Sequence, residues 1–196
     1  MTRLVLTAHG VDPDLVKMVP IGEPQVRALA LGAGRIDATT MSVGVWNRFR
    51  DRPNLKVLLS TGDFFRAAPV LNKIVVTGKE TLNTKRPAIE RFVAAVVNAS
   101  RAFSSDSNMW VEAMAAARPE VPRNELKELS ETFSESWSVN GGLDLTQVRY
   151  SIGQYYKGQD FHNVRQIDAD ELLDTQPLSS VLGRIGVIAG RDPSTP

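Results

Sequence analysis

The chain contains no cysteine. Disulfides, thiolate metal sites and a cysteine nucleophile are therefore excluded. Histidine is scarce as well. His9 and His162 stand far apart in sequence, which argues against a histidine-rich metal site. The sequence implies no metal and no other cofactor. An excess of one charge is also missing: 23 Lys and Arg stand against 22 Asp and Glu, a net charge of +1. No bulk field draws nucleic acid or an anionic membrane to such a chain, and no basic stripe with interleaved aromatics is visible, so nucleic acid is not an expected partner. Long apolar runs are absent too. No stretch approaches the ~18 residues of a membrane-spanning helix, so the chain is not expected to be transmembrane. The opening MTRLVLTAHG lacks the pattern of a secretory signal, because its apolar part is short and no small-residue cleavage site follows a basic region. As given, the chain is expected to stay in the cytoplasm.

What is present is an ordinary globular composition. Hydrophobic residues make up 42% and charged residues 23% of 196 positions, enough for one good-sized domain or two small lobes. Residues 2–9 have a helical spacing of Leu4, Val5 and Ala8, closed by Gly10. Residues 15–20 (LVKMVP) predict a short strand. Pro24 to Ala33 predicts a helix, with Val26, Leu29, Ala30 and Ala33 on one face, Pro24 in its first turn and Gly34 at its end. Strands are expected at 36–41, 55–59 and 70–77. This alternation favours a parallel α/β arrangement.

From about Lys79 the pattern turns helical. Residues 87–103 carry a stripe of Ile89, Phe92, Val93, Val96, Val97 and Phe103. A helix over 108–118 presents Trp110, Met114 and Ala117. One beginning at Pro122 presents Leu126, Leu129, Phe133 and Trp137. Asn140-Gly141-Gly142 breaks the chain, and Asp144 with Gln147 forms a pair like a capping box for a fourth helix. Residues 170–175 add a short helical piece, and the last residues, GRDPSTP, are expected to be loose.

No nucleotide-binding glycine motif, nucleophile elbow or metalloprotease pair occurs. Gly32, Gly34 and Gly44 follow a helix where such a motif would precede one, so they are turn glycines. The glutamates at 125, 128, 131 and 135 fit a solvated helix face. His162 has no neighbouring group that would make it a base. Trp110 and Trp137 lie on apolar stripes and fit a core. Trp46 follows a strand end and Gly44, and two readings stand for it: a flat wall for a small molecule, or packing under the next helix.

The order of several stretches resembles a known family. A helix is followed by G-V-D-P-D, V-P-I-G and R-A-L-A-L-G-A-G-R-I-D-A. Later come L-L-S-T-G-D, the helix F-V-A-A-V-V-N-A-S-R-A-F, W-S-V-N-G-G-L-D and D-E-L-L-D-T. This set is similar to the substrate-binding proteins of ABC importers of the nitrate, sulfonate and taurine type, which are related to thiamine-pyrimidine synthesis proteins. The resemblance implies an α/β, two-lobed fold of the type II periplasmic-binding-protein kind, N-terminally truncated and with a helix-rich C-terminal half. It implies a second-lobe segment at 1–62, a returning first-lobe segment with covering helices at 63–176, and a tail at 177–196. A hinge is expected near Ser60 to Asp63. The segment after G-R-I-D-A lines the cleft in such proteins, which points to Thr40, Ser42 and Trp46. Asn72 is a further candidate.

The function so implied is the solute-binding component of an ABC importer. It holds a small anionic or heteroaromatic molecule in an interlobe cleft, without covalent chemistry and without a cofactor. Its partners are the small-molecule ligand and, in the full-length context, ABC permease subunits, and its full-length relatives are periplasmic. Two alternatives stand beside it. One is a small-molecule enzyme like the thiamine-pyrimidine synthesis proteins, with His162 as its main candidate residue and no cysteine to match that branch. The other is a truncated sensing or interaction module.

Overall fold

The computed structural model describes residues 1–71, 73–134, 136–157, 161 and 163–192. The chain falls into two compact units, Met1–Pro69 and Val70–Pro196.

In the first unit, helix α1 (Thr2–Ala8) is followed by a 3₁₀ turn at Pro13–Leu15, α2 (Pro24–Gly32), α3 (Val43–Asn47) and α4 (Thr61–Ala67). Local chemistry sets most of these boundaries. Pro24 opens α2 at a position where its missing N–H is not needed. At its other end Gly34 takes a φ of 66°. The Gly34 N–H then donates to the Leu31 carbonyl at 3.0 Å and the Arg35 N–H to the Ala30 carbonyl at 2.9 Å. This is the paired closure that a left-handed glycine permits at a helix end. Helix α1 ends the same way, with Gly10 at a φ of 73° and Val11 N–H donating to Leu6 O at 2.9 Å. Helix α1 packs against α4, and α2 against α3. Val5, Ala28 and Ala68 are buried.

The second unit contains α5 (Lys79–Thr84), α6 (Arg86–Ser105), α7 (Ser107–Ala117), α8 (Arg123–Phe133), α9 (Leu145–Tyr155), α10 (Ala169–Leu172) and α11 (Gln176–Ile185). Helix α6 is the hub, with α5, α7 and α11 packed on it. Val97 of α6 is buried against Leu178 and Leu182 of α11, with Val93, Leu143 and Ile185 around them. The expected α6 stripe is only partly inward: Phe92 and Val96 are exposed. Helix α7 lies on α8, and the Trp110 ring meets Phe133 edge-on at 5.9 Å. Trp137 does not extend the α8 stripe, because α8 ends at Phe133. Its ring instead lies 5.2 Å from that of Phe103. Asp144 caps α9, its carboxylate accepting from the N–H groups of Thr146 and Gln147.

The two-lobed α/β expectation is overturned. Helix accounts for 56% of the chain and there is no β-strand among the described residues, so no sheet exists to divide between lobes. The stretches expected as strands are apolar but lack ladder partners. Leu15 is 84% exposed and Val76 77% exposed, the opposite of a strand covered on both faces. A run of Val, Ile and Leu favours an extended backbone. It becomes a strand only with a neighbour ~4.8 Å away, and composition does not supply one. At 13–15 local chemistry wins outright. Asp12 accepts from the Asp14 N–H and Pro13 occupies the first turn, so Leu15 closes a 3₁₀ turn.

Candidate functional site

The residues that sequence points to as ligand contacts surround the start of α3. Thr40 is exposed, and its carbonyl accepts from Arg27 Nη2 at 3.3 Å. Arg27 Nη1 donates to the Gly22 carbonyl at 2.7 Å, so this one side chain ties the loops on either side of α2. Ser42 is exposed and stands at the N-cap of α3, where its side chain caps nothing. Its carbonyl accepts from the Trp46 N–H at 2.9 Å, and Trp46 is half-buried within α3. Thr40, Ser42 and Trp46 thus sit within seven residues of chain. Asn72 and His162 lie outside the described residues. The stretch expected to carry a hinge opens α4: Ser60 caps the helix, accepting from the Asp63 N–H at 3.1 Å and donating to the Asp63 carboxylate at 2.6 Å. The hydroxyl hydrogen bond and the nearby Arg66 hold that carboxyl below its ordinary range.

A hollow in the first unit lies beside these residues in sequence and is lined by different ones. It encloses about 560 Å³ within the first unit. Leu31, Ile36, Pro53 and Leu55 supply apolar wall. Asp37, Arg52 and Asn54 supply polar groups, and Gly32 and Gly34 bring backbone to its edge. Thr40, Ser42 and Trp46 are not among its lining residues. The volume falls in the range of roughly 300–1,000 Å³ typical of small-molecule sites. The Arg52 guanidinium carbon lies 4.7 Å from the centre of the Phe49 ring, a cation–π arrangement that holds the head group in place. Gly32 leaves it room, since a Cβ there would come within 2.6 Å of Arg52 Nη1. Sequence pattern flags Gly32 and Gly34 as turn residues and Asp37 as part of G-R-I-D-A. It gives no signal for Arg52 or Asn54, which approach only through the fold.

A second hollow is smaller, about 200 Å³, and apolar. It lies between α9 and the following loop, with Ile152, Tyr155, Phe161 and Val164 in its wall. Tyr155 and Phe161 meet edge-on at 5.4 Å. The Tyr156 hydroxyl accepts from the Ile167 N–H at 2.9 Å and donates to the Arg165 carbonyl at 3.4 Å. Among the described residues no charged group lines this space. The Tyr156 hydroxyl holds the loop to the helix.

The Asn140-Gly141-Gly142 turn is a structural clasp. Asn140 is 1% exposed. Its amide donates to the carbonyls of Ile188 and Asp192, and its side-chain oxygen accepts from the Ile188 N–H. The Asp192 carboxylate in return accepts from the backbone N–H groups of Asn140 and Gly142. Gly141 is held at a φ of 90°, and a Cβ there would lie 2.6 Å from Leu178. Arg101 completes the clasp from α6, donating to the carbonyls of Val139, Ile185 and Gly186. Two of those carbonyls end α11 and have no partner within the helix, so a cation suits the position.

Other displaced titrations among the described residues belong to surface ion pairs. Hydrogen bonding from Arg165 lowers Glu171, and the same pairing raises Arg165. Arg184 lowers Glu90, and Arg118 lowers Glu120. None of these carboxylates lines either hollow, which is where a catalytic group would be tuned. Among the described residues no three His, Cys, Asp or Glu side chains group to hold a metal ion. No helix among them is long and apolar enough to cross a membrane. No protein-family model, curated protein or solved structure matches the chain.

Proposed function

We propose that the chain is a solute-binding component of an ABC importer that holds a small anionic or heteroaromatic molecule without covalent chemistry. One observation carries this reading. The stretch G-R-I-D-A, part of the ordered set that resembles importer binding proteins, supplies three residues to the larger hollow: Gly34, Ile36 and Asp37. Size supports the reading, and so does the mixture of apolar wall and a few polar groups, which is the usual build of a small-molecule site. On this reading ABC permease subunits are the partners, and release of the solute to them is the physiological event.

The test is a thermal-shift screen of the chain against small sulfonates, carboxylates, inorganic anions and heteroaromatic bases. A ligand that binds only the folded chain stabilises it by mass action, by about 2.7 kcal/mol at a hundred times its Kd. At least one solute is expected to raise Tm in a saturable, concentration-dependent way. A flat Tm across the whole panel at millimolar concentrations overturns the proposal.

A further inference from the structure

We infer that the hollow of the first unit binds a zwitterion, an amino acid with an apolar side chain, with the carboxylate on Arg52 and the ammonium at Asp37. This rests on the reading that the chain binds a small solute, and it names the class. Two opposite charges line one hollow and do not neutralise each other. Among the described residues the Arg52 guanidinium has the Phe49 ring as its contact and takes part in no hydrogen bond or ion pair. The Asp37 carboxylate likewise joins none. Elsewhere in this chain arginines readily find carboxylates, as Arg86 does with Asp174 at 2.9 Å and Arg184 with Glu90 at 2.8 Å. Both residues are exposed, so water serves them in the free chain, and a ligand that carries both charges can take over those donors and acceptors.

The chemistry of that third party follows from both groups together. A planar guanidinium offers paired N–H donors that match a carboxylate. An ionised carboxylate only accepts, so Asp37 suits an ammonium with its three donors. A simple anion would gain Arg52 and meet repulsion from Asp37. A simple cation would meet the reverse. A molecule carrying both signs satisfies both, and rejection of singly charged analogues follows from the unmatched partner. Leu31, Ile36, Pro53 and Leu55 then take an apolar side chain, and Asn54 has an amide free to face polar atoms. Phe49 and Gly32 act on the orientation of the guanidinium. One stacks on it, and the other has no Cβ to push it aside.

Calorimetric titration of the full chain with L-leucine, 4-methylpentanoate and 3-methylbutylamine tests this directly. The two analogues lack the ammonium and the carboxylate in turn. L-leucine is expected to bind at least tenfold more tightly than either. Arg52→Gln is expected to weaken L-leucine at least tenfold and leave the amine unchanged. Asp37→Asn should weaken L-leucine and leave the acid unchanged or tighter. Gly32→Ala should keep the helical circular dichroism and the Tm, and still weaken L-leucine. Equal affinities for the three compounds, or no binding of L-leucine, overturn the inference. If L-leucine fails while another solute raises Tm equally in the parent chain and in Arg52→Gln, only the site and class fall and the solute-binding reading stands. If no solute of the wider panel shifts Tm, both fall.

Discussion

Replacing Asn140 by alanine removes three hydrogen bonds at once. The amide spans the second unit to the segment after α11, reaching partners 48 and 52 residues ahead in sequence. The bonds measure 2.9, 3.0 and 2.9 Å, and the side chain that makes them is almost wholly buried. Each such bond adds about 0.5–1.5 kcal/mol net, and a buried group left without a partner costs about 1–3 kcal/mol. Ile188 is 40% exposed, so water can take over part of what the amide gave its backbone. The expected loss is therefore about 2–3 kcal/mol, below the sum of the largest values. The backbone N–H of residue 140 still reaches the Asp192 carboxylate in the variant, so the turn itself has a reason to persist. Urea unfolding followed by Trp fluorescence reads the loss, since Trp137 lies three residues away on the same turn. The midpoint should fall with the slope unchanged. Amide exchange at Ile188 gives the local measure and should accelerate more than that of Val97 in the core of α6. A loss under about 0.5 kcal/mol, set against the 1 kcal/mol typical of one hydrogen bond, would refute the reasoning.

Arg101 and the carboxylates allow two more predictions. Arg101→Lys keeps the charge and loses the fork, and an ammonium cannot serve the carbonyls of Val139, Ile185 and Gly186 together. A cost of about 1–2 kcal/mol is expected, with Arg101→Lys nearer to Arg101→Met than to the parent chain in chemical denaturation. Equality of Arg101→Lys with the parent would show that charge alone matters there. Acid should weaken the seating of α11 on α6. Hydrogen bonding from Arg184 holds Glu90 below its ordinary value of 4.5, with further lowering from Ser180 and the charge of Arg86. A carboxyl with a depressed folded pKa adds stability that is present above its unfolded pKa and is lost as pH falls through the folded one. Urea midpoints should thus be level from pH 7 to about 5 and decline below about 4.3, with a shallower decline in Glu90→Gln. A midpoint that rises between pH 5 and 3, or an identical decline in the variant, contradicts the assignment.

The parts of this fold that sequence makes legible are those decided within one turn of chain. Gly10 and Gly34 announce helix ends because the closure involves only residues six apart or fewer. Pro24 and Asp144 mark helix starts for the same reason. Helices α2, α6, α7 and α9 accordingly begin or end within about two residues of where periodicity places them, the accuracy to which helix ends are defined. What fails is everything that needs a distant partner. The strands at 15–20, 36–41, 55–59 and 70–77 were a prediction about neighbours, and residues such as Val75 and Val76 stand exposed without them. Helix α11 carries its apolar residues at 178, 181, 182 and 185, which is helical spacing, but Pro177 and Gly183 disguise it as loop. The candidate site shows the same division. Asp37 belongs to a local motif and is visible in sequence. Arg52 reaches the hollow from beyond α3, and nothing near it in the chain marks it.

The two glycines of A-L-A-L-G-A-G-R are therefore not equivalent. Gly34 is required by the backbone, because its φ of 66° strains any residue with a Cβ. Gly32 has no such need. It ends α2 in ordinary helical geometry, where alanine would be favoured by about 1 kcal/mol. A residue that lowers helix propensity without serving the turn calls for a separate cause. The guanidinium of Arg52, 2.6 Å from where its Cβ would stand, is the cause that the geometry offers. If the helix alone mattered, Gly32→Ala would be neutral or stabilising in every measurement. If Gly32 exists to admit Arg52, the same substitution leaves stability intact and changes only what the hollow binds, because the flexible end of Arg52 can swing away at little cost to the fold.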